Sequence, residues 1–253
     1  MDASFYAIEE RAVDAAEVSR VAELHVAHHG AWLAAKPVAA HTVAAFGACR
    51  EAAARSGLEV IVDAGCGTGR STRRIAERHP DAFVVGVDRS AERLGRHGDP
   101  LPANAFLLRA ELGDFWRLAN DREGGGGGGG GLAIRETFLL YPNPYPKAAH
   151  LKRRWQGHAC LPALLGAAGE RLTLRASWKT YLDEFALAAN VAAACGDPGA
   201  SRLVAGGVDG PRRLAAPAPG DAMTNFEAKY AAAGVPVFEL VLGGEGSGGG
   251  PKT

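Results

Sequence analysis

The chain has 253 residues, 47% of them apolar, enough for one sizeable core and a single α/β domain. Its 28 basic and 28 acidic residues cancel, which excludes a protein that coats nucleic acid by overall charge and confines any such contact to a local patch. No apolar run has the length needed to cross a bilayer. The four cysteines include no CxxC pair, which argues against structural zinc or a disulfide framework and fits a reducing, cytoplasmic setting.

In chain order, the acidic start with Asp2, Glu9, Glu10, Asp14 and Glu17 does not have the basic or acid-poor character of a leader. The Ala-rich stretch from Asp14 to Arg55 predicts two helices broken at Lys36-Pro37, part of a helical segment over residues 1–56 packed on the core. His25, His28 and His29 lie on it without an acid or cysteine pattern to complete a metal site, and no metal is expected. Glu59 to Asp63 is a short apolar run ending in glycines, a buried strand that enters a turn. Ser71 to Arg78 returns to helix, and Phe83 to Asp88 is a second buried strand. Ala105–Leu108, Thr137–Tyr141 and Leu172–Ala176 predict three more strands, Thr224–Ala233 a helix, and Val235–Leu242 a last strand. Strands alternating with helices imply a mostly parallel sheet covered on both faces, here assigned to residues 57–242. The glycine run Gly124–Gly131 reads as a mobile insert, and the tail 243–253 as disordered.

The stretch Asp63-Ala64-Gly65-Cys66-Gly67-Thr68-Gly69 lies between a strand and a helix. Glycines there let the chain turn tightly and let a ligand approach the main chain, the mark of a nucleotide-type site. A dinucleotide fingerprint needs a sixth-position glycine to seat a pyrophosphate, and that position is Arg70, which disfavours a nicotinamide dehydrogenase. Asp88 ends the next strand, 23 residues after Gly65, where a carboxylate accepts hydrogen bonds from ribose hydroxyls. A Gly turn that binds nothing, followed by a helix-capping Asp, is the competing explanation. Cys66 reads as a small filler, and Trp116 and Trp178 as packing residues. Three prolines in Tyr141-Pro142-Asn143-Pro144-Tyr145-Pro146-Lys147 make a stiff loop at the carboxyl edge of the sheet. That loop can present the Asn143 amide to a planar base, with Tyr145 available for stacking. Lys147, His150, Lys152, Arg153 and Arg154, followed by Trp155, form a basic run that suits RNA phosphates or is a solvated face.

The acid-x-G-x-G-x-G pattern resembles motif I of the class I methyltransferases. The later motifs resemble the tRNA (guanine-N7)-methyltransferases. Tyr141 to Lys147, followed by His150 and Lys152-Arg153-Arg154, is similar to that family's Pro-Asp-Pro-Trp-x-Lys, His and Lys-Arg-Arg. Ser177-Trp178 and Tyr181 fall at its Thr-Asp-Trp and tyrosine, and Thr224-Asn225-Phe226-Glu227 at its Thr-x-Phe-Glu. The resemblance runs from about Val60 to Leu242. It implies a Rossmann-like fold with a seven-stranded, mostly parallel sheet and an antiparallel last strand. It also implies S-adenosyl-L-methionine as donor and a tRNA guanine as acceptor. Asp63, Gly65, Gly67, Gly69, Asp88 and Glu111 would hold the cofactor, Asp63 facing its cationic sulfonium. Asn143 and Lys147 would act on the acceptor, with Tyr145, Lys152, Arg153, Arg154, Ser177, Thr224 and Glu227 binding the substrate. Two family carboxylates are replaced, by Asn143 and Ser177. This leaves open another RNA or small-molecule acceptor, or an RNA-binding or partner subunit that transfers nothing.

Overall fold

The computed structural model describes residues 8–35, 37–98, 100–121, 130–218 and 220–244. Residues 124–129 of the glycine run and 245–253 of the tail lie outside the described residues. Three helices open the chain, α1 (Ala15–Ala27), α2 (His29–Ala35) and α3 (Ala40–Ser56). The break at Pro37 is where the sequence placed it. A second break falls at His28, which leaves helical geometry (φ −104°, ψ 12°) while its N–H still bonds the Leu24 carbonyl. Gly57, at φ 65°, stops α3 in the left-handed conformation that glycine adopts without a Cβ clash.

The remaining elements are β1 (Glu59–Ala64), α4 (Arg70–Arg78), β2 (Ala82–Asp88), α5 (Ala91–Leu94), β3 (Ala105–Arg109), α6 (Leu112–Asn120), β4 (Ile134–Leu140), α7 (Leu161–Ala167), β5 (Arg171–Ala176), α8 (Lys179–Ala194), α9 (Pro198–Val204), β6 (Arg212–Arg213), α10 (Asn225–Ala232) and β7 (Phe238–Gly243). Two 3₁₀ turns, Ala148–Arg153 and Trp155–Gly157, stand between β4 and α7. The seven strands run in the order β3-β2-β1-β4-β5-β7-β6. β1 to β5 pair in parallel, and β7 is antiparallel to both β5 and β6. This is the class I methyltransferase arrangement, and the expected fold class holds.

Alternation along the central strands explains why their sequences are almost wholly apolar. Val60, Val62, Val85 and Val87 enter the larger core, under α1, α3 and α6 to α9. Ile61 and Val84 point the other way, to a smaller core with Ile75, Ala76, Met223 and Val237. With both faces covered, neither set of alternate side chains meets water. Trp116 and Trp178, 0% and 1% exposed, lie inside the larger core. At the end of the glycine run, Gly131 packs on the α6 terminus: Leu132 N–H bonds the Ala119 carbonyl, and a Cβ on Gly131 would collide with that same oxygen. None of the described helices is long and apolar enough to cross a membrane.

The strand order reverses beside β1, whose neighbours β2 and β4 lead in opposite directions along the sheet. Open α/β sheets bind ligands at such a switch point, outside the carboxyl ends of the strands. The loops after β1, β2, β3 and β4 all arrive there.

Candidate functional site

A cleft of about 520 Å³ lies at this switch point. One half is lined by Ala64 to Thr68, Asp88, Glu111 and Leu112, the other by Tyr141 to Asn143, Tyr145, Trp155, His158 and Thr224 to Phe226. Sequence reasoning treated these as two motifs, and the fold makes them one cavity.

Gly65, Gly67 and Gly69 have φ of 78°, 61° and 76°, a conformation that L side chains rarely adopt. A Cβ at Gly65 or Gly67 would meet nothing within 4 Å, so the main chain there is bare and a ligand can lie against it. Gly65 and Cys66 donate their N–H groups to the Val87 carbonyl, at 2.8 and 3.0 Å, which ties the loop to the end of β2. Burial pushes the Cys66 thiol well above its ordinary range, so it stays protonated and serves as a filler.

Asp88, 3% exposed, receives the Gly67 N–H on Oδ2 at 3.0 Å and the Ser90 N–H on Oδ1 at 2.8 Å. Arg93 pairs with Oδ1 at 3.0 Å, and its side chain is 49% exposed and free to swing. A carboxylate has about four lone-pair positions. A ribose diol therefore finds one open on Oδ2 and a second once Arg93 moves. Bare glycine backbone beside a buried acid with spare acceptor capacity fits an adenosyl nucleoside. Glu111 caps α6, accepting from Gly113 N–H at 2.7 Å and Asp114 N–H at 3.3 Å, and it borders the cleft on the same side.

Asp63 departs from expectation. It does not line the cleft. It is 1% exposed and accepts the hydroxyls of Ser71 and Thr72, both at 2.7 Å. It faces the first turn of α4 rather than a sulfonium, and acts by locking the glycine loop to that helix. Burial raises its carboxyl to about 6 against the opposing pull of the two hydroxyls. A raised carboxyl means that the folded chain holds a proton that the unfolded chain has lost, over the window from about pH 4 to about pH 6. Stability from this group therefore falls as pH rises through that window. Asp63→Asn should remove the slope. The stability of the variant relative to the parent, from thermal unfolding at pH 4 and pH 7, should shift in its favour by about 2–3 kcal/mol as pH rises. A pH-independent difference would refute this.

The proline-rich loop carries two non-glycine residues at positive φ, Tyr141 at 54° and Tyr145 at 43°. Such strain, about 1–3 kcal/mol per residue, persists only where surroundings over-determine it. Tyr141 is held by its N–H to the Arg175 carbonyl at 2.8 Å and by its hydroxyl to Glu227 Oε1 at 3.0 Å. Burial and the Glu227 carboxylate push its phenol up, so the hydroxyl donates. Asn143 is exposed at the cleft, and its Oδ1 accepts the Tyr145 N–H at 3.4 Å, a weak turn contact that leaves the amide available.

Glu227 was expected to contact the substrate, but it is 4% exposed and occupied by Tyr141, Arg175 and the Met223 N–H. The Thr224-x-x-Glu227 pattern is a helix-capping box in sequence. Thr224 Oγ1 accepts the Glu227 N–H at 2.9 Å, and the Glu227 carboxylate reaches back to Met223. Together they fix the tip of α10, which brings Thr224, Asn225 and Phe226 to the cleft. Arg154 is also misassigned by sequence: it has no exposed surface and pairs with Glu184, so it does not meet a substrate. Lys147, Lys152 and Ser177 lie outside the cleft lining. Of the basic run, Arg153 reaches the cleft, with its guanidinium 5.9 Å from the centre of the Tyr145 ring.

The cleft also holds residues that sequence reasoning did not assign to it. Arg70, noted only for breaking a dinucleotide pattern, borders it and donates to Asn225 Oδ1 at 2.9 Å. Arg89 and Arg93 follow Asp88 by one and five residues, a signal that was available. Trp155 and His158 had no pattern to mark them. His158 Nδ1 accepts the Cys160 N–H at 3.2 Å, and burial lowers its pKa, so the neutral ring carries its proton on Nε2. Among the described residues no group of three or more acidic, histidine or cysteine side chains could hold a metal ion.

Residues 61–123 match a methyltransferase domain family. The matched segment carries the glycine loop, Asp88 and Glu111, and the cofactor is S-adenosylmethionine. The chain is similar to the trans-aconitate 2-methyltransferase of Rhodopseudomonas palustris (strain HaA2), at 47% identity over 47 residues, 19% of this chain and 18% of that protein. It is also similar to the tRNA (guanine-N(7)-)-methyltransferase of Nocardioides sp., at 32% identity over 131 residues, 49% of each chain. The chain thus spans half or less of the length of these two relatives. A solved 16S rRNA (adenine(1408)-N(1))-methyltransferase from Catenulisporales acidiphilia aligns at TM-score 0.48 and 19% identity, over 80% of this chain and 92% of that one.

Proposed function

We propose that this chain is an S-adenosylmethionine-dependent methyltransferase whose acceptor is a nucleobase of RNA, with guanine N7 of tRNA as the specific reading. One observation carries it. The donor pocket opens without a partition into a space lined by Tyr145, Trp155 and Phe226, and four arginines, Arg70, Arg89, Arg93 and Arg153, line the same cleft. Aromatic faces suit an unstacked base, and guanidinium groups suit the phosphates on either side of it. The tRNA reading draws support from the motif resemblance and from the similarity to tRNA (guanine-N(7)-)-methyltransferases.

S-adenosylmethionine supplies a methyl group made electrophilic by its sulfonium. The protein's part is to align and to exclude water. The glycine loop and Asp88 hold the nucleoside end. Asn143 offers a carbonyl acceptor and amide donors to the edge of the base, while Tyr145 and Phe226 offer it aromatic faces. Guanine N7 already has a free lone pair, so no residue need remove a proton before transfer.

Incubation of the protein with labelled S-adenosylmethionine and total tRNA, followed by nucleoside mass spectrometry, tests this reading. Label in 7-methylguanosine is expected. Label in another nucleoside would redirect the specific reading, and transfer only to a small carboxylate would overturn it. Arg89→Ala combined with Arg153→Ala should lower RNA affinity about tenfold and flatten the slope of log affinity against log salt by about 1–2, with donor affinity unchanged.

A further inference from the structure

Arg154 has no exposed surface, and its partner Glu184 is 1% exposed. Nη1 of Arg154 donates to Glu184 Oε2 at 2.5 Å. The other two bonds leave in a different direction: Nε donates to the Tyr145 carbonyl at 3.1 Å and Nη2 to the Lys147 carbonyl at 3.0 Å. The guanidinium lies 5.0 Å from the centre of the Trp178 ring. Glu184 in turn receives Gln156 Nε2 at 3.0 Å and Arg11 Nη2 at 3.1 Å. Next to Arg11, Glu10 caps α8, accepting from the N–H groups of Lys179 and Thr180 at 2.8 and 3.2 Å.

Buried ion pairs are a weak source of stability, because desolvation offsets most of their attraction. What this pair does have is geometry. It joins α8 to the two carbonyls that flank Pro146, on the loop that presents Asn143 and Tyr145. We propose that Arg154, oriented by Glu184, is a positioning residue that fixes this loop against the cleft, and that Arg11 of the amino-terminal segment completes the strut. The inference rests on the assignment of that loop to the acceptor. A planar fork can send donors to three acceptors at once, whereas a lysine ammonium at the end of a flexible stem cannot reproduce the directions. Tyr145, at φ 43°, is held at this clamp, and without it the loop relaxes. The glycine loop and Asp88 hang from β1 and β2 and do not depend on it.

Two variants test the strut. Arg154→Lys keeps the charge and loses the fork. The double variant Arg154→Met with Glu184→Met keeps volume and removes both fully buried charges together, while Arg11, 32% exposed, can turn to solvent and Gln156 keeps its bond to the Tyr181 carbonyl, so it retains the fold. Hydrogen exchange read by mass spectrometry over residues 141–150 should quicken by about tenfold or more in both variants. S-adenosylmethionine affinity by calorimetry should stay within about twofold of the parent. With tRNA as acceptor, kcat should fall by about 10–100-fold at unchanged KM for the donor. Unchanged exchange in the double variant overturns the proposal whatever happens to turnover. So does faster exchange across the whole sheet accompanied by loss of donor binding, the mark of general destabilisation. If the parent transfers no methyl to RNA, the acceptor assignment fails, while the exchange rates still decide whether the strut exists.

Discussion

Asp88→Ala should weaken S-adenosylmethionine binding by roughly 100-fold, measured by calorimetry. The carboxylate is 3% exposed, and it organises Gly67, Ser90 and Arg93 in addition to the ribose it is proposed to hold. Hydrogen bonds to a charged group contribute about 1.5–3 kcal/mol each, so losing the two to a ribose diol accounts for two orders of magnitude or more. Asp88→Asn should fall between parent and Ala, because the amide keeps one acceptor oxygen but turns a donor toward an N–H group. Parent-like affinity in the Ala variant would remove the ribose assignment and with it the donor reading of the cleft.

The largest expected loss of stability comes from a methyl group. Gly86 sits mid-strand in β2, paired with Asp63 of β1 and Leu107 of β3. A Cβ there would run into Thr72 Oγ1 and lie 2.8 Å from a Leu107 methyl. Thr72 is fully buried and β-branched, so it cannot swing aside, and moving it breaks its bond to Asp63. Gly86→Ala should cost about 2–4 kcal/mol, overpacking and a stranded polar group together, and lower the midpoint by several degrees in thermal unfolding. Donor affinity should fall as well, because the same displacement releases the glycine loop from α4. A variant with the parent's melting temperature would show that this packing is looser than described.

Much of the scaffold was legible because β1 and β2 are short, largely apolar runs and β1 ends in a glycine-rich turn. That signal survives without any long-range information. The donor loop was legible for the same reason, since its chemistry lies in consecutive residues. The acceptor half was harder, because proximity there is tertiary. Arg70 and Asn225 are 155 positions apart, and only the fold puts one beside the other. Charged residues were the main source of error. Arg154, Glu227 and Asp63 look like surface or ligand groups in a sequence, and each is buried with internal partners. A sequence carries no mark of whether an acid is matched by an arginine brought from another element. The partners of Asp63 were at least local, the hydroxyls of Ser71 and Thr72 eight and nine residues on. The elements with the weakest periodic signal, α8 with its Ala-rich run and the two-residue β6, were not anticipated individually.

The hydrogen bond between Tyr141 and Glu227 joins the loop after β4 to the helix that carries Phe226. The two sides of this end of the cleft are therefore linked, and opening one without the other would break that bond. If the acceptor is a nucleobase, as proposed, it would have to come to this slot already extruded from its neighbours, and the work of unpairing would fall on the nucleic acid. Bases in loops and bends, which give up little stacking to leave the helix, would be taken first, and a perfect duplex would be refused.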